Sequence, residues 1–271
     1  MKKIIIATDY SAEAENAARY AAAAASEHGH QLILFNVRDI SIHALNARSS
    51  PSAIDELLEI YNKNLSTAAH DLSIKYKVAV TPYLATGNFY NELVNCINIH
   101  AADGLVMGMA SKSIEQDMLG NTTTASIHRL QIPILAVPLA AKYEGIKKIL
   151  FACDLERDVH DKVLANIHFV AQDFGATVEI LYVENTIAAL QEAHEPVHTH
   201  VDEALNGISY YYKNIQSQKI IQAIQDEIKA TQPDLLIMAP NKYGFWDSIV
   251  HRSKTRMMAS GSNIPLLSLP H

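Results

Sequence analysis

Apolar residues in this chain gather into short unbroken runs, separated by polar stretches of helical period. In the first half the runs are "IIIATDYS" (Ile4 to Ser11), "LILFNVRD" (Leu32 to Asp39), "VAVTPYLAT" (Val78 to Thr86), "GLVMG" (Gly104 to Gly108) and "IPILAVP" (Ile132 to Pro138). Runs without alternation are the mark of strands covered on both sheet faces. The stretches between them predict helices over Ala14–His28, Ile42–Tyr76, about Asn88–His100, and from Asn121 onward. Strand and helix alternate, which predicts an α/β fold of parallel strands joined by right-handed crossovers.

The pattern then repeats in the same order. "ILFACDLE" (Ile149 to Glu156), "VEILYVEN" (Val178 to Asn185), "ISYYYKNI" (Ile208 to Ile215), "PDLLIMA" (Pro233 to Ala239) and "IPLLSLP" (Ile264 to Pro270) answer the five runs. Helices are predicted over Val159–Phe174 and Lys219–Thr231, and Gly29 and Gly175 stop the first helix of each half. This is the signature of a tandem duplication with its joint near Ala140 to Gly145. It gives a first domain over residues 1–141 and a second over 142–271. Asp9 and Asp154 lie 145 residues apart, Gly108 and Ala239 only 131. The second half is therefore shorter by 14, mostly against the segment Ile42–Tyr76. The expected architecture is two tandem Rossmann-like or flavodoxin-like domains, each a five-stranded parallel sheet flanked by helices.

Composition narrows the class. Of 271 residues, 49% are hydrophobic and 19% charged, as in ordinary globular proteins. A net charge of −7 argues against broad attraction to nucleic acid or to an anionic membrane. No apolar run approaches the roughly 20 residues that span a bilayer. "MKKIII" begins as a signal peptide does, but Asp9 interrupts it. Cys96 and Cys153 are far apart and form no CxxC, which suits a reduced, cytoplasmic protein.

Ligands of such sheets sit beyond the carboxyl ends of the strands. Three segments of the first half reach that end: "ATDYS", "NVRD" and "GMASKSIEQDMLGNTTTASI" (Gly108 to Ile127). The last has a glycine at each end of a polar loop and a helix start after the second. Glycine lets backbone N–H groups approach a phosphate, and a helix N-terminus offers free N–H groups and a positive dipole end. Thr122 and Thr123 add hydroxyls, and Lys112 a cation, while Glu115 and Asp117 oppose an anion. The plainer alternative is that Gly120 and Asn121 form a turn and cap a helix.

The runs "IIIATDYS", "LFNVRD", "GLVMG", "GNTTT" and "IPILAVP", with their counterparts, resemble the universal stress protein family in its tandem two-domain form. Some members of that family bind ATP through G-x2-G-x9-G-(S/T) after the fourth strand, and others lack the motif. The resemblance puts Gly108 at the first glycine, Ser111 at the second and Gly120 at the third, one residue early, with Asn121 and Thr122 following. It puts Thr8 and Asp9 against adenine and ribose, and the backbone of Val37 against adenine. In the second half Ala239, Lys242 and Arg252 occupy the glycine positions, leaving a degenerate site. The resemblance implies stress-linked binding or regulation with ATP or a related adenine nucleotide in the first half. The alternatives are a slow nucleotide hydrolase and a nucleotide-free scaffold with a vestigial pocket. Last strands pair across a dimer in this family, so here the two halves are expected to form an intramolecular pseudo-dimer. Further homodimerisation and protein partners of unspecified kind follow from the same resemblance.

Other constellations add no catalyst. His194, His198 and His200 in "HEPVHTH" are zinc-ligand types, but Pro196 argues against the helix that would align two of them. "MASKS" echoes a nucleotidyl-transfer signature whose histidine partners, read as "HGH" (His28 to His30), fall at the wrong end of the sheet. No G-x-S-x-G elbow and no P-loop lysine occurs, and no motif pairs carboxylates for acid–base work.

Overall fold

The computed structural model describes residues 1–38, 51–109, 121–153, 159–184, 194–239 and 264–270. The chain divides into two compact units, Met1–Gly108 and Met109–His271.

The first unit runs β1 (Lys3–Ala7), α1 (Ala12–His28), β2 (Gln31–Arg38), α2 (Pro51–Tyr76), β3 (Val80–Thr86), α3 (Phe89–His100) and β4 (Gly104–Met109). Its strands are parallel, in the order β3-β2-β1-β4. The chain steps outward from β1 to β3, then returns past β1 to β4. Right-handed crossovers therefore put α1 and α2 on one face and α3 on the other. The first two pack against each other.

The second unit begins with α4 (Asn121–Arg129) and β5 (Ile134–Pro138). It continues with β6 (Lys148–Cys153), α5 (Asp161–Phe174), β7 (Thr177–Glu184), α6 (His194–Ala204), β8 (Tyr210–Gln216), α7 (Ile220–Thr231), β9 (Leu235–Met238) and β10 (Leu266–Ser268). Strands β8-β7-β6-β9 repeat the order and parallel sense of β3-β2-β1-β4. Beyond β9 comes β10, parallel to it, and then β5, antiparallel to β10 with Ala136 opposite Leu266 and Ile134 opposite Ser268. The closing strands of the two sequence repeats thus pair with each other. The chain is α/β, built from two tandem parallel-sheet domains.

Local chemistry recurs with the topology. Helices α1 and α5 both end at a glycine in the left-handed region, Gly29 at φ 64° and Gly175 at φ 63°. Helices α3 and α7 end at Ala101 and Gln232, both at φ 48°. Two residues beyond each of these ends stands an aspartate that ties the sheet together. Asp103 Oδ2 accepts the Lys3 N–H at 2.8 Å, and Asp234 Oδ2 accepts the N–H groups of Lys147 and Lys148 at 2.8 and 2.9 Å.

The shortening of the second repeat falls where expected: α2 has 26 residues and α6 has 11. The expectation that Pro196 prevents a helix is wrong. It sits in the first turn of α6, where N–H groups have no intrahelical acceptor, so proline costs nothing there. The predicted helix over Ile42–Tyr76 is seen from Pro51, and its earlier residues lie outside those described. Strands β6, β7 and β9 with α5 and α6 enclose a core that includes Phe151, Val163, Ile167, Ile180, Tyr182 and Val201.

Candidate functional site

In the first unit, β1, β2 and β4 are adjacent and parallel. Their carboxyl ends bring Thr8, Asp9, Val37 and Gly108 to one end of the sheet. The turn after β1 is fixed from several sides. The Thr8 N–H extends the β1–β2 ladder by donating to the Phe35 carbonyl at 2.9 Å. Its hydroxyl accepts the Tyr10 N–H at 3.1 Å, and its carbonyl accepts from Asn36 Nδ2 at 2.6 Å. Asp9 is exposed, and its Oδ1 accepts the Ser11 N–H at 2.9 Å. Ser11 in turn caps α1 through the Ala14 N–H.

Two features of this turn had no signal in the motif comparison. Tyr10 lies at φ 66°, a region non-glycine residues rarely enter and one often found strained at functional sites. Asn36 is 2% exposed, and its Oδ1 has no hydrogen-bond partner among the described residues. Next along β2 is Arg38. The centre of its guanidinium lies 4.3 Å from the Tyr61 ring and 5.6 Å from the Tyr10 ring. Among the described residues its buried Nε has no hydrogen-bond partner. Burial raises the Tyr10 hydroxyl above its ordinary pKa, with Arg38 pulling the other way. A cavity of about 610 Å³ opens between α2 and β3, lined by Asp55, Leu58, Glu59, Asn62, Leu84 and Thr86. Thr86 is the register partner of Arg38.

Gly108 has a structural reason of its own. A Cβ there would lie 2.6 Å from the Glu13 carbonyl carbon and 2.8 Å from the Ala14 nitrogen, so the first turn of α1 needs the missing side chain. Asn121 and Thr122 open α4, which belongs to the second unit; Thr122 is exposed, and its carbonyl accepts the Ser126 hydroxyl at 2.8 Å. Ser111 and Gly120 lie outside the described residues, as do Lys242 and Arg252. Of the histidine cluster, His200 Nε2 lies 2.9 Å from Asp161 Oδ1. Among the described residues no group of three or more His, Cys, Asp or Glu could hold a metal ion.

Two parallel-sheet domains with a built turn after the first strand define an α/β protein of the open-sheet kind. Residues 1–138 match the universal stress protein family model, and the chain belongs to the universal stress protein family. A universal stress protein of Methanocaldococcus jannaschii is 29% identical over 138 residues, covering 50% of this chain and 81% of that protein. The crystal structure of a universal stress protein from Archaeoglobus fulgidus matches all of this chain and 96% of its own, at 15% identity and a TM-score of 0.72. A functionally unknown protein from Pseudomonas aeruginosa matches all of this chain and 92% of its own, at 11% identity and a TM-score of 0.58. Among the described residues no helix is long and apolar enough to cross a membrane.

Proposed function

We propose that this chain is a cytoplasmic, stress-linked regulatory protein that binds ATP or a related adenine nucleotide in its first repeat, residues 1–141. The second repeat, residues 142–271, carries the degenerate copy. The observation that carries this reading is the turn after β1. It holds a left-handed Tyr10 and an exposed Asp9 beside a buried Asn36 whose Oδ1 lacks a donor among the described residues. The residue types suit a nucleoside. Asp9 and Asn36 at the turn would supply acceptors for its amino and hydroxyl donors, and Arg38 a cation for its phosphates. The cavity lined by Asp55 and Glu59 lies beside them, through the Arg38–Thr86 register pair. Thr8 and the Val37 backbone would complete the base and sugar contacts, and the loop from Gly108 through Ser111, Gly120, Asn121 and Thr122 the phosphate contacts.

Calorimetric titration of the purified chain with ATP at millimolar concentration tests this. Binding should appear, and Asp9→Ala or Arg38→Gln should each weaken it about tenfold or more, the worth of one charge-assisted hydrogen bond. Absence of binding would leave the nucleotide-free scaffold. Phosphate release lost in the same variants would make the protein a slow hydrolase.

A further inference from the structure

The second unit buries charge at positions where the first is apolar. Glu179 lies in the middle of β7 and Glu227 on α7, each 4% exposed. The Tyr211 hydroxyl donates to Glu179 Oε2 at 2.8 Å, and Lys213 Nζ donates to Glu227 Oε1 at 2.6 Å. Glu179 Oε1 is buried with no hydrogen-bond partner among the described residues. Glu227 faces Glu179 as a like charge, and the two are bridged along β8 by Tyr211 and Lys213. The groups around this pair are few. From β6 the register neighbour is Leu150; from β8 come Tyr211 and Lys213. Besides Glu227, α7 buries only the neutral Gln225 among its polar residues, and Asp226 interacts with Gln222 and Lys229 along that helix.

Two carboxylates against one ammonium leave one negative charge unbalanced; the carboxyls are buried, while Tyr211 and Lys213 reach solvent from β8. Such a charge is costly, and neighbouring carboxyls relieve it by keeping one proton between them. We propose that Glu179, facing Glu227, is a buried proton-binding site, and that the bound proton holds α7 against β7 and β8. With it, Glu179 Oε1 gains a partner and the cluster is neutral. Without it, like charges face each other across the helix–sheet seam.

Burial, then the charge of Glu227, raises the Glu179 carboxyl above its ordinary pKa, while Tyr211 and Lys213 pull down. Burial and the bond to Glu179 push the Tyr211 hydroxyl up to about 12, so it remains a donor throughout the neutral range. The sign follows from a folded pKa above the unfolded one. The stabilisation is fully present below the unfolded value, about 4.3 for Glu. It is lost as pH rises through the folded value. This site is independent of nucleotide binding in the first unit.

Infrared spectroscopy and hydrogen exchange on the full chain test it. A protonated-carboxyl band should persist above the ordinary Glu range, and Glu179→Gln and Glu227→Gln should each remove it. Protection of α7 and β8 amides, with intrinsic exchange rates divided out, should fall with rising pH by up to about tenfold per pH unit. In Glu179→Gln, whose amide imitates the protonated acid, protection should stay flat with pH. A native chain without the band, a band that survives both substitutions, or protection equally flat in native and variant chains would overturn the proposal.

Discussion

Gly108 and Ala239 hold matched places in the two units, at the carboxyl ends of β4 and β9, and at Gly108 backbone leaves no room for a Cβ. Helix α1 begins at Ala12, and its first turn lies against Gly108. Helix α5 begins at Asp161, four residues later once β1 and β6 are aligned, with the His160 ring capping it. Ala239 is only partly buried, packed against the core of its unit. In the first unit the start of α1 therefore decides that the strand beside it carries no side chain at this position. The same shift in emphasis runs through the units. Arg38 is matched by Glu184, and the apolar Ile33 and Cys96 by Glu179 and Glu227. The first unit carries a built turn at its strand ends; the second places charge against its sheet.

The sharpest test of this contrast exchanges the two residues. Gly108→Ala should cost about 1–3 kcal/mol, since backbone rather than a flexible side chain stands in the way. Ala239→Gly should cost about 0.5–1 kcal/mol through chain entropy. Urea unfolding of the full chain measures both, and equal costs would break the comparison. Where the units agree, substitutions should agree. Gly29→Ala and Gly175→Ala meet open space but force alanine into the left-handed region, so each should cost about 1–2 kcal/mol. A clear inequality would mean that one helix end is held by more than its cap.

A smaller effect separates the two aspartate ties. Burial works to raise the Asp103 carboxyl, but the Lys3 N–H and the Lys2 ammonium, 3.0 Å away, outweigh it and hold the group below its ordinary pKa. Its contribution is therefore present above the unfolded value, about 3.9. It is lost as pH falls through the folded one. Asp103→Asn should flatten the acid side of the stability profile and cost about 1 kcal/mol at neutral pH. An acid limb unchanged in the variant would remove Asp103 from the account.

Much of the fold was legible because strand runs and helix stops are local. "GLVMG" and "PDLLIMA", Gly29 and Gly175, and the short segment before β8 were all readable from spacing. What was not legible depends on which backbones meet. Gly108 looked like a phosphate glycine, but the structure gives it a second reason, the approach of α1, which no linear motif encodes. Pro196 misled because a proline's meaning depends on its position within a helix. Glu179 was a visible anomaly, an acidic residue inside the apolar run "VEILYVEN", but its partner Glu227 comes from a helix dozens of residues later. Tyr10, Asn36 and Arg38 escaped notice because a left-handed turn and an unpaired buried atom have no signature in residue type.

The antiparallel pair of β5 and β10 also sets an order of events during synthesis. Ala136 and Leu266 are opposite one another but 130 residues apart in the chain. At about 5–20 residues per second, β5 emerges on the order of ten seconds before the strand that covers this edge. For that interval a short apolar strand waits without its β10 partner, its N–H and C=O groups there unpaired and prone to capture by another chain. A nascent copy stalled before β10 would be the form most apt to join its neighbour.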